Sequence, residues 1–178
     1  MELVLLVGLP GAGKTSFFRH RFAATHVQVS GDLIRNRRNS RRKQLRQVAE
    51  ALAAGRSVVV DNTNPTAAGR AEFVDLGKRH GTRVRCYFFP PDVALSLERN
   101  AQRKGRGRVP PVAIYSAMKR MEEPSLREGF DRLYVVEARE PGEFVIREPL
   151  GHRAGTGKSR GPGAARSGAV CHAIRNQR

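Results

Sequence analysis

At 178 residues the chain is long enough for one hydrophobic core of ordinary size and too short for two full domains. Lys and Arg number 33 against 16 Asp and Glu, a formal net charge of +17, which points to a polyanionic partner and carries no information about fold. Only Cys86 and Cys171 are present, so no disulfide framework is expected. The start MELVLLVG lacks the basic region of a signal peptide, and no apolar run reaches membrane-spanning length. A soluble, cytoplasmic protein with no membrane partner is the expectation, and nothing calls for a protein partner.

In chain order, Leu3 to Val7 is a short apolar run without polar alternation, the pattern of a strand buried on both faces. A glycine-rich turn follows, then a helix over 15–21 and a second strand at THVQV, 25–29. From Asp32 to about Ala54 the pattern predicts helix, with Leu45, Val48, Ala49 and Leu52 as its apolar face and Gly55 as its stop. SVVV, 57–60, is a further strand. Asn64-Pro65 reads as a helix cap with proline at the first helical position, opening a helix to about His80. RVRCYFF, 83–89, is a strand, and Pro90-Pro91-Asp92 leads into a helix running through Arg103. KGRGR, 104–108, breaks it; helix resumes after Pro110-Pro111 to about Arg120, followed by strand at 132–136 and an edge strand at 143–146. Phe17, Phe18, Phe22, Phe88 and Phe89 are expected in the core. Alternating strands and helices predict a three-layer α/β/α domain over 1–150 with a mainly parallel sheet and a small helical lid at about 99–111. The Gly-, Ala- and Arg-rich stretch 151–178 predicts a disordered basic tail.

GLPGAGKT, Gly8 to Thr15, matches glycine, four residues, glycine-lysine-threonine, and it lies between a buried strand and a helix, the context that makes the match specific for a P-loop. Backbone amides from Gly11 to Lys14 suit a β-phosphate, Lys14 the β- and γ-phosphates, and the Thr15 hydroxyl a Mg²⁺ ion. Gly8, Pro10, Gly11, Ala12, Gly13, Lys14, Thr15 and Ser16 form the expected site for ATP or another NTP. A second GTGKS, 155–159, has no strand before it and is set aside. No guanine-reading Asn-Lys-x-Asp occurs, and an AAA-type motor needs more chain for its sensors and helical lid domain.

A small kinase needs an acceptor-activating carboxylate opposite the phosphates and positive charge on the transferring group. Asp32 follows the second strand, in the crevice outside the strand C-termini where the phosphate loop also lies. It suits a general base; on spacing alone it suits a helix cap as well. Arg35, one helical turn on, could grip an acceptor phosphate. Residues 31–48 carry seven basic side chains after that single acid, among them Arg37 and Arg38, expected to supply phosphate contacts with little base selectivity. Asp61 ends the third strand and fits either a carboxylate that orients the metal shell or a nearby arginine, or an ordinary turn residue. Arg99 and Arg103, four apart on one helix before a glycine-broken stretch, fit a closing lid or a solvated basic helix end.

These stretches together resemble the kinase domain of polynucleotide 5'-hydroxyl kinases, of the phage type and of polynucleotide kinase-phosphatases. The likeness rests on GLPGAGKTSF, VSGDLIR, VVVDNTNPTAAGR and LERNAQRKGRGRVP followed by MEEPSLREGF, over about residues 2–137. It implies transfer of the γ-phosphate of ATP or another NTP to the 5'-hydroxyl end of DNA or RNA, with Mg²⁺. By position it implies Asp32 as general base, Arg35 on the acceptor-end phosphate, Lys14 and Thr15 on phosphates and metal, and Arg103, with Arg99 beside it, as the lid arginine. Two departures stand out. The segment before the base is often Asn-Arg-Asp in the family and is Ser-Gly-Asp here; and no Asp-x-Asp-x-Thr phosphatase signature is present. Kinases of small molecules and of tRNA share the same P-loop group, and a non-catalytic NTP-dependent nucleic-acid-binding module is the remaining class.

Overall fold

The computed structural model describes residues 1–31, 39–139, 142–149 and 172–173. Strand β1 (Glu2–Val7) lies at the centre of one sheet whose order is β2-β3-β1-β4-β5-β6-β7, with β2 (His26–Val29), β3 (Ser57–Asp61), β4 (Arg83–Phe88) and β5 (Arg132–Ala138) all parallel to it. β6 (Phe144–Arg147) turns back antiparallel on β5, and His172–Ala173, in a stretch expected to lack structure, forms a two-residue antiparallel β7 on β6.

The unbroken apolar run Leu3–Val7 is fully buried because β1 has a neighbour on each side and helices on both faces. Leu3, Leu5 and Val7 join α2 (Ser40–Ala53) and α3 (Ala67–Arg79) through Val48, Leu52, Phe73 and Val74. Val4 and Leu6 point the other way, into an aromatic layer where Phe17 of α1 (Lys14–Arg21) and Phe22 just after it meet Tyr87, Phe89 and Phe144. All five phenylalanines assigned to the core from the sequence are buried. A third cluster joins Leu9 of the phosphate loop to Ile114 and Ala117 of α5 (Pro111–Lys119), with Leu97 of α4 (Val93–Ala101) packed against it. This is the three-layer α/β/α P-loop NTPase fold, with a mainly parallel sheet.

Three local expectations are corrected. Asn64 does not cap α3: its backbone is left-handed (φ 45°) and its side-chain amide donates to the Leu6 carbonyl at 2.8 Å, so the cap falls two residues later on Thr66, whose hydroxyl accepts from Gly69 N at 3.2 Å. α4 stops at Ala101, so Arg103 lies beyond it and does not share a helical face with Arg99. α2 begins at Ser40 behind a left-handed Asn39 (φ 60°), which makes Asn39, and not Asp32, its N-terminal cap position; residues 32–38 of the predicted helix lie outside the described residues.

Candidate nucleotide and acceptor site

The phosphate loop leaves the buried end of β1 and enters α1 with its turns made at Gly11 (φ +90°) and Gly13 (φ +97°), a left-handed region that costs any side-chain-bearing residue. Gly11 is doubly required, since an ideal Cβ there would stand 2.6 Å from the carbonyl oxygen of Ser96 on α4. The loop is held from behind by the end of β3: Gly8 N donates to Thr63 O at 3.1 Å, and Asn64 holds Leu6 O. Lys14 Nζ donates to the carbonyls of Gly8 (2.8 Å) and Leu9 (2.7 Å), so its ammonium lies over the loop whose amides could receive phosphate oxygens.

The Thr15 hydroxyl donates to Asp61 Oδ2 at 2.7 Å, and Gln28 Nε2 donates to the same oxygen at 2.8 Å. Asp61 is 6% exposed, a buried carboxylate at the end of β3 that accepts from one neighbouring strand and one helix. A hydroxyl and a carboxylate at contact distance beside a phosphate loop are hard oxygen donors, the set Mg²⁺ takes while keeping water and phosphate oxygens for its other positions. Among the described residues no group of three or more His, Cys, Asp or Glu is placed to hold a metal ion.

Next to the loop, a cleft of about 290 Å³ is lined by Ala12, Phe89, Pro90, Pro91, Leu95, Arg99 and the backbone end of β5 at Val136–Ala138. Arg99 crosses its mouth: one guanidinium nitrogen donates to Ala138 O (3.3 Å) and Arg139 O (3.2 Å), and the other lies 3.6 Å from the position a Gly13 Cβ would take. Arg103 sits in the turn that follows α4, where its guanidinium donates to Gly107 O at 3.3 Å. Of the two predicted lid arginines, Arg99 is thus the one brought to the loop. The two ends of the 102–108 turn are drawn together by Asn100, a residue no sequence motif marks. It is buried, and its amide exchanges two hydrogen bonds with the backbone of Val109 (2.8 and 3.0 Å), the pairing one strand residue would make with another.

Asp32, Arg35, Arg37 and Arg38 lie outside the described residues. Arg41 of the same basic run is turned inward: its guanidinium lies 3.9 Å over the Phe73 ring, within 3.4 Å of Glu72 and bonded to Gly69 O, so it serves the α2–α3 contact rather than an open platform.

The arginine of the DNTNP-x₄-Arg stretch has a structural place. Arg70 is fully buried, paired through two nitrogens with Glu128 (2.6 and 2.8 Å), and its third donates to Asn64 O, Pro65 O and Glu122 O at 3.0–3.2 Å. Glu128 also accepts from Ser125 N, and Glu122 caps α3 through Ala67 N. The two sequence stretches around DNTNP and EEPSLREGF are therefore one object, a buried ion pair that fixes the loop carrying Asp61 and Asn64. Spacing could not reveal it, because the partners are 58 residues apart.

With the loop, the Thr15–Asp61 pair and the adjoining cleft in place, the class is a P-loop nucleotide-binding protein. A family model described as AAA domain matches residues 3–124, and the chain belongs to that family. That match covers the nucleotide-binding core; it does not bring the further segments an AAA-type motor was expected to need. The chain is 29% identical over 133 residues to the bifunctional polynucleotide phosphatase/kinase of Schizosaccharomyces pombe, covering 72% of this chain and 32% of that protein. It is 26% identical over 144 residues to the L-seryl-tRNA(Sec) kinase of Methanococcus maripaludis, covering 72% of this chain and 56% of that one. The chain thus spans about a third of the length of its S. pombe relative. A solved sugar kinase from Janibacter superposes with a TM-score of 0.62 at 18% identity, over 80% of this chain and 88% of that one, a likeness of fold.

Proposed function

We propose that this protein is a P-loop kinase that transfers the γ-phosphate of ATP or another NTP to the 5'-hydroxyl end of a nucleic acid. The observation that carries the reading is the meeting of three strand ends. Asp61 at the end of β3 holds Thr15 behind the phosphate loop, and its neighbour Asn62 accepts the Gly31 amide at 2.8 Å at the end of β2. The chain passes from Gly31 directly into Asp32 and the basic run, and Gly31 itself is one hydrogen-bonded step from the strand end that carries Asp61. In this reading Asp32 takes the proton of the acceptor hydroxyl as its oxygen attacks the γ-phosphorus. Arg35, Arg37 and Arg38 hold acceptor phosphates. Lys14 and the loop amides bind the donor phosphates, Arg99 and Arg103 add lid charge, and the Arg99 cleft takes the nucleoside. Thr15 with Asp61 behind it would hold Mg²⁺, which neutralises charge on the phosphate oxygens. The 29% identity to a polynucleotide phosphatase/kinase supports this acceptor class.

The test is an assay with γ-labelled ATP, Mg²⁺ and 5'-hydroxyl DNA or RNA oligonucleotides, looking for 5' label. Asp32→Asn is expected to lower turnover by about a hundredfold or more while nucleotide binding is kept. Absence of label on both acceptors with a folded, nucleotide-binding protein overturns the reading.

One observation favours a second reading. A polar cleft of about 290 Å³ lies beside the Asn62–Pro65 loop, lined by Arg41, Gln44, Thr63 and Gly69 among others, and it has room for a small hydroxyl acceptor. Saturable transfer to sugars, nucleosides or tRNA without label on oligonucleotides would select that reading.

A further inference from the structure

A chain of amide hydrogen bonds crosses the acceptor side of the site. Gly31 N donates to Asn62 Oδ1 (2.8 Å), Asn62 Nδ2 donates to Gln44 Oε1 (2.6 Å), and Gln44 Nε2 donates to Ser40 Oγ (3.0 Å). Its direction is fixed. A main-chain N–H can only donate, so Asn62 must turn its oxygen to Gly31 and its nitrogen to Gln44; that in turn leaves Gln44 its nitrogen for Ser40. Gln44 is 6% exposed on an otherwise apolar helix face, where an unsatisfied amide would be costly. The chain therefore closes a bridge whose two feet, Gly31 and Ser40, flank residues 32–39.

Gly31 fits this bridge closely. A Cβ at that position would lie 3.0 Å from Gln44 Nε2, 3.4 Å from Asn62 Oδ1 and 3.7 Å from Ser40 Oγ. Gln44 thus occupies space that a side chain at position 31 would enter.

We infer that Asn62 and Gln44 are positioning residues for phosphoryl transfer, which set the acceptor-side segment by holding both of its ends against the strand that carries Asp61. They touch neither the phosphate loop nor Lys14 through this bridge, so their contribution falls on the chemical step and not on nucleotide binding. The inference rests on the kinase reading above.

The experiment uses the full chain and compares Gln44→Met, Gln44→Glu and Gly31→Ala. Gln44→Met keeps the length of the side chain and removes both amide groups. Gln44→Glu restores an acceptor for Asn62 Nδ2 and can accept from the Ser40 hydroxyl. Gly31→Ala presses on the bridge from its other end, and it carries the test alone if Gln44→Met does not fold. Steady-state kinetics with the acceptor found for the wild type should show kcat lowered about tenfold to a hundredfold in Gln44→Met and Gly31→Ala, with the KM for ATP within about twofold of wild type. Gln44→Glu should recover most of kcat. Wild-type kcat in both Gln44→Met and Gly31→Ala, or a loss confined to ATP affinity, overturns the positioning role and leaves the kinase reading standing. A folded wild type that transfers phosphate to no acceptor overturns the kinase reading, and the positioning role falls with it.

Discussion

Gly11 joins two demands at one residue, a left-handed backbone and a close approach to the Ser96 carbonyl. Adding a methyl group costs about 1–2 kcal/mol for the backbone alone, before α4 moves to relieve the contact. Gly11→Ala should therefore lower both the urea midpoint and the affinity for a fluorescent ATP analogue, since α4 carries Arg99 over the same cleft. His26, far from the loop, gives a pH signature. Burial holds its imidazole below the ordinary 6.5, against the pull of the Glu2 carboxylate 3.2 Å away. The unfolded chain then binds more protons than the folded one below that value, so this contribution is complete above 6.5 and is lost as pH falls through and below it. Urea unfolding between about pH 7.5 and pH 5.5 should show a drop in stability that His26→Gln reduces; an unchanged drop in the variant would refute the assignment.

At the scale of elements, what the sequence made legible were the parts governed by local rules. Strand–loop–helix around Gly8 to Thr15 followed from burial pattern and glycine spacing, and the parallel order followed from alternation. The parts that were not legible are polar contacts between distant segments. Asn64-Pro65 has the local form of a cap, yet the side chain is drawn to Leu6 O, 58 residues away, and Thr66 takes over. Arg103 looked helical because nothing before Gly105 breaks the pattern. The helix instead ends where Asn100 turns to pair with Val109. That pairing makes the lid a stapled excursion. Asn100→Ala leaves the Val109 N–H and C=O without their partners, a cost of about 1–3 kcal/mol confined to the lid neck. Hydrogen exchange at the Val109 amide should rise while exchange in β1 and β4 stays as in wild type.

For the whole molecule, the controlling feature is the Arg70–Glu128 pair. A buried ion pair is costly to desolvate, and this one is offset by filling the guanidinium with carboxylate and carbonyl oxygens. Glu128→Leu leaves a buried cation uncompensated and should destabilise by about 3–5 kcal/mol in urea unfolding, whereas Arg70→Met with Glu128→Leu should cost less than the single change. If the two variants prove additive, the pair is not the unit described. Among the described residues, the basic side chains turned inward, such as Lys14, Arg41 and Arg70, serve local contacts in this frame.

The Arg70–Glu128 pair also dictates an order of events during synthesis. Domains are made from the N-terminus at about 5–20 residues per second, so β1, the phosphate loop and β3 leave the ribosome seconds before Glu128 does. Until then Arg70 has no carboxylate, and the Asn64–Pro65 backbone that it steadies lacks its final hold. The glycine-lysine-threonine motif is thus translated well before the pair that steadies the backbone behind it is complete. A nascent chain halted before residue 128 would carry the full glycine-lysine-threonine signature and still lack a finished nucleotide site.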